Sequence, residues 1–200
     1  MIAILDYGSG NLRSAERAFA TSGHDVVVTS DARIAYEADG LVVPGVGAFA
    51  ACMTGLHAID GAEIIRKRVS SGRSVLGICI GMQILFSHGE EHSDGAAHNG
   101  VGIWDATVSK ISAPILPHMG WNTVETTQGS SLLKGIEDQS FYFVHSFAAK
   151  DSVGVHQAWT THNERFLSVV EDGYVSATQF HPEKSGVAGL ALIKNWSNSL

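Results

Sequence analysis

Cysteine is nearly absent. The 200-residue chain has two, Cys52 and Cys79. Two cysteines cannot form the framework of a disulfide-stapled secreted domain, and no paired zinc-type spacing occurs, so no metal is expected. Charge is scarce too. Only 16% of residues are charged, and 20 acidic residues outnumber 13 basic ones, for a formal net charge of −7. A nucleic-acid binder needs a basic face to neutralise phosphates, so that partner class is excluded. Nowhere is an apolar run long enough to span a membrane. The start, Met1-Ile2-Ala3-Ile4-Leu5-Asp6, has no basic region, and its apolar run is too short for a signal peptide. A reduced, cytoplasmic setting is expected. What the chain does have is 44% apolar residues. That is enough for a sizeable core in one domain over residues 1–200, without repeat or linker.

The most informative stretch is Ser74-Val75-Leu76-Gly77-Ile78-Cys79-Ile80-Gly81-Met82-Gln83. An apolar strand runs into Gly-x-Cys-x-Gly, and an apolar run compatible with a helix follows over residues 82–86. This is the nucleophile-elbow pattern with Cys in place of Ser. Small residues flank the cysteine because the turn is too tight for side chains. A helix N-terminus beside Cys79 would favour its thiolate. A buried structural cysteine is the competing explanation, so the rest of the chain must supply a base, an orienting acid and an oxyanion hole.

Up to Cys79 the pattern alternates strand and helix, which predicts a parallel sheet covered on both faces. Strands are expected at residues 2–5, 25–29, 39–43 and 74–78, with helices at 12–22 and 62–70. In the second helix, Arg66, Lys67 and Arg68 are assigned to a solvent face. Cys52 lies in a further helix, as a core residue. Gly8-Ser9-Gly10 lacks the third glycine of a dinucleotide fingerprint, which argues against that ligand. In parallel sheets ligands bind at the carboxyl ends of strands. Asn11, the loop Pro44-Gly45-Val46-Gly47 and Cys79 all fall at such ends.

Residues 88–100, with His88, His92 and His98, are expected to form a surface loop. From residue 101 onward short strand-like segments predominate, and Asp172-Gly173 is a hairpin signal. The fold class is therefore α/β: a mostly parallel central sheet flanked by helices, with additional antiparallel strands in the C-terminal half. A closing helix spans residues 185–199. Val187, Leu190, Ala191, Ile193, Lys194 and Trp196 are assigned to its one buried face.

His181-Pro182-Glu183 supplies the base and acid. In an extended segment residues two apart share a face, so Glu183 can orient His181, which can take the Cys79 proton. The chemistry is acyl transfer through a thioester, with backbone N–H groups of Ile80 and of the Gly45-Val46-Gly47 loop holding the oxyanion. Spacing does not say which acyl compound is attacked.

Taken together, Gly77-Ile78-Cys79-Ile80-Gly81-Met82-Gln83, Pro44-Gly45-Val46-Gly47 and His181-Pro182-Glu183 resemble the class I (triad) glutamine amidotransferases, over essentially the whole chain. Asp6-Tyr7-Gly8-Ser9-Gly10-Asn11, Pro117-His118-Met119-Gly120-Trp121-Asn122 and Lys184-Ser185 narrow the resemblance to the glutaminase subunits of imidazole glycerol phosphate synthase, in histidine biosynthesis. The resemblance implies a flavodoxin-like architecture, L-glutamine as substrate, no cofactor, and a (β/α)8-barrel cyclase subunit as heterodimer partner receiving ammonia through a channel. The products would be imidazole glycerol phosphate and an aminoimidazole carboxamide ribotide.

Carried over by position, the triad is Cys79, His181 and Glu183, and Val46 and Ile80 give oxyanion N–H groups. Gly47, Gln83, Ser146 and Phe147 surround glutamine. Asn11, Met119, Trp121, Asn122, Tyr142 and Lys184 map to the docking face and channel, with Trp121 readable from spacing alone as a core residue. Two positions depart from the family, Ile80 for Leu and Phe147 for Tyr. A glutaminase serving another synthase, such as one making pyridoxal phosphate, and a non-enzymatic ligand-binding α/β domain are the alternatives.

Overall fold

The computed structural model describes residues 1–92, 96–127 and 129–200. Strand and helix alternate first: β1 (Ile2–Leu5), α1 (Leu12–Ala20), β2 (Val26–Thr29), α2 (Ala32–Glu37), β3 (Gly40–Gly45), α3 (Phe49–Ala58), α4 (Gly61–Ser70), β4 (Ser74–Cys79) and α5 (Ile80–Gln83). Strands dominate thereafter: β5 (Phe86–Gly89), β6 (His98–Asn99), β7 (Trp104–Lys110), β8 (His118–Thr123), β9 (Glu125–Thr126), β10 (Ser140–His145), β11 (Phe147–Ala149), β12 (His156–His162), β13 (Glu164–Asp172) and β14 (Val175–Thr178). A 3-10 turn (Pro182–Lys184) and α6 (Gly186–Ser197) close the chain.

The main sheet has the order β2-β1-β3-β4-β14-β13-β12-β9. The first five strands are parallel, and β13, β12 and β9 continue antiparallel. A two-stranded sheet (β10-β8) and a four-stranded one (β11-β7-β5-β6) complete the fold. β1 and β3 are buried throughout, as strands covered on both faces must be. From β1 the chain crosses to β2 on one side and returns to β3 on the other. The crevice at their carboxyl ends is the topological switch point where such sheets bind ligands.

Several expectations need correction. Arg68 is not on a wet helix face but fully buried. Its Nη1 and Nη2 donate to the carbonyl oxygens of Ala35, Tyr36, Ala38, Asp39 and Ser74 at 2.8–3.1 Å. It thereby staples α2 and the starts of β3 and β4, while Arg66 and Lys67 stay outside beside Glu63. Burial lowers the Arg68 pKa to about 10, still leaving it charged at neutral pH. Arg68→Met is expected to lower the unfolding free energy by about 3 kcal/mol, because carbonyls would be left buried without donors. Urea titration measures this, and a loss under about 1 kcal/mol would mean those carbonyls find other partners.

In α6 the buried ridge is Ala188, Gly189, Leu192, Ile193 and Trp196, whereas Val187 (86% exposed) and Leu190 (38%) face outward and Lys194 is exposed. The helix after Cys79 is only the four residues of α5, and Phe86 already belongs to β5. Pro44 and Gly45 extend β3, beyond the β1 pairing, rather than forming a loop. The hairpin turn is Gly173-Tyr174, one residue later than expected, since Asp172 pairs with Val175. The ends of the 88–100 segment pair as strands, His88 with Asn99 and Gly89 with His98. Its residues 93–95 lie outside the described residues.

Candidate active site

Cys79 ends β4 with φ 57° and ψ −113°. This left-handed conformation strains a residue with a side chain, and it lifts the thiol out of the strand. The glycines around it are demanded by close approach. A Cβ on Gly81 would lie 1.8 Å from the Val43 carbonyl oxygen, and one on Gly77 would lie 2.7 Å from the Gly81 oxygen.

His181 follows the carboxyl end of β14, the parallel neighbour of β4. Its N–H donates to the Tyr142 carbonyl at 3.0 Å. Ser185 Oγ donates to its carbonyl at 2.6 Å and accepts the Tyr142 N–H at 2.9 Å. Ser185 thus locks the base to β10, a role that only the local geometry reveals. Glu183 meets the imidazole not on an extended strand, as expected, but from the 3-10 turn, with Pro182 at its first position. The contact still forms: His181 Nδ1 lies 2.7 Å from Glu183 Oε1, and both side chains are buried.

Among the described residues His181 Nε2 is buried without a hydrogen-bond partner, and the ring borders the same cavity as Cys79. Burial alone would lower the His181 pKa, but the neighbouring Cys79 sulfur and Glu183 carboxylate outweigh it and raise it to about 9. The imidazolium is therefore favoured at neutral pH.

Cys79 and His181 open on a cavity of about 280 Å³, which Val46, Gly47, Ile80, Gln83, Glu91, Ser146, Phe147 and Lys184 also line. Gln83 Nε2 donates to the Phe147 carbonyl (2.7 Å) and to Gln179 Oε1 (3.0 Å). Its Oε1 is buried and has no hydrogen-bond partner among the described residues. Sequence reasoning missed Glu91, which sits in the 88–100 segment given no role above. Its carboxylate accepts the Phe49 N–H at the start of α3 (2.9 Å) and puts negative charge at the cavity wall. Such a wall suits a ligand carrying an ammonium.

The oxyanion N–H expected from Val46 is otherwise engaged. It donates to Ser9 Oγ (3.1 Å), and the Val46 carbonyl accepts from the same hydroxyl (2.8 Å). Cys52 Sγ stands 3.1 Å from Ser9 Oγ.

Of the residues assigned to docking, Trp121 is 59% and Met119 62% exposed, so Trp121 is not a core residue. Trp121 and Tyr142 meet edge to face across the β8–β10 pair, and Trp121 adjoins Gly186 at the start of α6. Lys184 lies on the cavity rim, and Asn11 is exposed and caps α1 through its side chain. Asn122 is half-buried. Among the described residues no helix is long and apolar enough to cross a membrane.

Comparison with known proteins identifies the family and the fold. The family model "Glutamine amidotransferase class-I" matches residues 3–198. The imidazole glycerol phosphate synthase subunit HisH of Mycobacterium bovis is 55% identical over 203 residues, covering 100% of this chain and 98% of its own. That of Nocardia farcinica is 53% identical over 208 residues, at the same coverages. Among solved structures, a glutamine amidotransferase crystal structure superposes with TM-score 0.74 at 17% identity, covering 98% of each chain. PurLQS from Thermotoga maritima superposes at 0.70 and 18%, covering 99% of this chain and 97% of that one. The chain belongs to the class-I glutamine amidotransferases and, within them, to the family of imidazole glycerol phosphate synthase HisH subunits.

Proposed function

We propose that the chain hydrolyses L-glutamine to glutamate and ammonia, and that it works as the glutaminase subunit of an imidazole glycerol phosphate synthase. The observation that carries this is that Cys79 and His181 line one cavity, with buried Glu183 on the imidazole, in a chain 50–55% identical to such subunits. Cys79 attacks the side-chain amide carbon of glutamine. His181, as imidazolium, gives its proton to the departing ammonia, and the thioester is then hydrolysed by water that His181 deprotonates. Glu183 holds the ring. Glu91 suits the α-ammonium of the substrate, while Gln83 Oε1 and the backbone of Gly47, Ser146 and Phe147 fix the rest. No cofactor enters these steps.

The partner in this reading is a (β/α)8-barrel cyclase, bound as a heterodimer that receives ammonia without passage through bulk water. Ammonia released into water at neutral pH would be protonated and lose its nucleophilicity, so a sealed passage protects it. Met119, Trp121 and the outward Val187 are exposed apolar side chains of the kind such a partner would cover, and exposed aromatics and Met are what interface centres favour. The chain acts as one domain in the cytoplasm, where both free thiols stay reduced.

The test is glutamate release by the chain alone, and with a cyclase subunit carrying its ribonucleotide ligand. Strong stimulation is expected. Trp121→Ala should weaken the complex about tenfold or more, as truncating a central aromatic does, with the unstimulated rate unchanged. High activity that the barrel leaves unaltered would assign the chain to another synthase.

The Val46–Ser9 contact supports control of the oxyanion hole. With its N–H committed to Ser9, Val46 cannot serve the tetrahedral intermediate until that peptide turns. Ser9→Ala is expected to raise the unstimulated rate about tenfold, the worth of one or two hydrogen bonds, and so to shrink the stimulation ratio. An unstimulated rate that stays level or falls would refute this latch.

A further inference from the structure

Between the docking strand and the cavity lies a polar chain that the mechanism above does not use. Asn122 Nδ2 is 3.2 Å from His118 Nε2, His118 Nδ1 is 3.1 Å from His145 Nε2, and His145 Nδ1 is 3.0 Å from the Phe147 carbonyl oxygen. Both imidazoles are buried. The direction of every bond follows from the ends. A carbonyl only accepts, so His145 Nδ1 carries the hydrogen. A neutral ring then has a bare Nε2, which must accept from His118 Nδ1–H. That leaves His118 Nε2 bare, to accept from the Asn122 amide.

The Asn122 orientation is fixed independently: its Nδ2 also donates to the Thr161 carbonyl, and its Oδ1 accepts the Thr123 N–H. At the far end the Phe147 carbonyl also takes the Gln83 amide. Gln83 passes its second hydrogen to Gln179, and Gln179 Nε2 points to Cys79 Sγ at 3.8 Å.

Resting on the glutaminase reading of this cavity, we propose that His118 and His145 are positioning residues that tie docking strand β8 to the glutamine pocket through one directed chain of hydrogen bonds. Both rings must be neutral, since a proton on either would turn an acceptor into a donor facing a donor. Burial keeps them so, lowering the His118 pKa to about 4 and that of His145 to about 3. The titratable groups facing the pair are His162, stacked on His118, and His181; their charges push the same way. Phe143 and Phe166 pack against both rings.

The tautomers are the first readout. Free neutral imidazole carries its hydrogen mainly on Nε2, whereas this chain requires Nδ1–H on both rings. Nitrogen-15 NMR of the intact, histidine-labelled protein between pH 6 and 8 should show Nδ1–H for both. An Nε2–H signature on either ring overturns the proposal. In the stimulated complex, His145→Phe should raise KM for glutamine about tenfold, more than it lowers kcat, because it frees the Phe147 carbonyl that sets the Gln83 amide. His145→Asn, whose amide nitrogen can take the Nδ1 place, should return KM to within about threefold of the natural enzyme. An unaltered KM in folded His145→Phe also overturns it, and if that variant fails to fold, the tautomers decide. A natural chain without glutaminase activity would sink the reading of the site instead, a result distinguishable from either.

Discussion

Cys79→Ala is expected to abolish glutamine hydrolysis, by at least about 10⁴-fold in kcat with the barrel present, and to leave the fold intact. The second thiol cannot take over, since Cys52 is buried in α3 against Ser9. The backbone at this position makes a second, less intuitive expectation. Gly ordinarily costs about 1 kcal/mol against Ala in regular structure. Cys79 has φ 57° and ψ −113°, where a Cβ is strained by about 1–3 kcal/mol. Cys79→Gly should therefore be at least as stable as Cys79→Ala, though equally inactive. Thermal unfolding of the two variants, with glutamate release assayed in parallel, measures both. Retained activity in either variant would sink the thioester mechanism, and the usual stability order would show that the elbow is unstrained.

His181→Asn is expected to cost about 10³-fold or more in kcat, since nucleophile and base act as one unit. It should also remove a pH dependence. The folded pKa, about 9, stands above the ordinary value of 6.5. A raised folded pKa contributes stability that is fully present below the unfolded value and is lost as pH rises through the folded one. Stability should therefore decline between about pH 6.5 and pH 9, by a few kcal/mol. Over the same range the alkaline limb of kcat/KM should appear near pH 9, where the acid that protonates ammonia is lost. Denaturant titrations at several pH values on the natural chain and on His181→Asn test this. An identical decline in both proteins would place its origin elsewhere.

Much of the site was legible because its parts are local. Gly77, Cys79 and Gly81 lie within five residues, and their spacing carries the steric reason for a strand-to-helix elbow. His181 and Glu183 are two residues apart, and they meet even though the backbone between them is a 3-10 turn rather than the expected extended segment. The parallel half of the sheet could be read because strands buried on both faces are written as apolar runs, as in β1 and β3. Glu91 was not legible, since an acidic residue in a polar segment carries no mark of the cavity wall it ends on. Nor were Arg68 and Val187. A basic run implies a wet face only until five carbonyls converge on one member of it. An apolar helix residue implies a buried face only where another element is present to cover it.

By itself, then, the sequence determined the α/β class, the Gly-x-Cys-x-Gly elbow, the His181–Glu183 pairing and the family, all properties of residue type at short spacing. Only the tertiary structure decided that Ser9 holds Val46, 37 positions away, that Arg68 is interior, and that His118 and His145, 27 positions apart, share one hydrogen bond. Those contacts depend on how strands and loops cross in space. Hydrogen-bond direction, burial and charge stabilisation act over a few ångströms, whatever the distance along the chain.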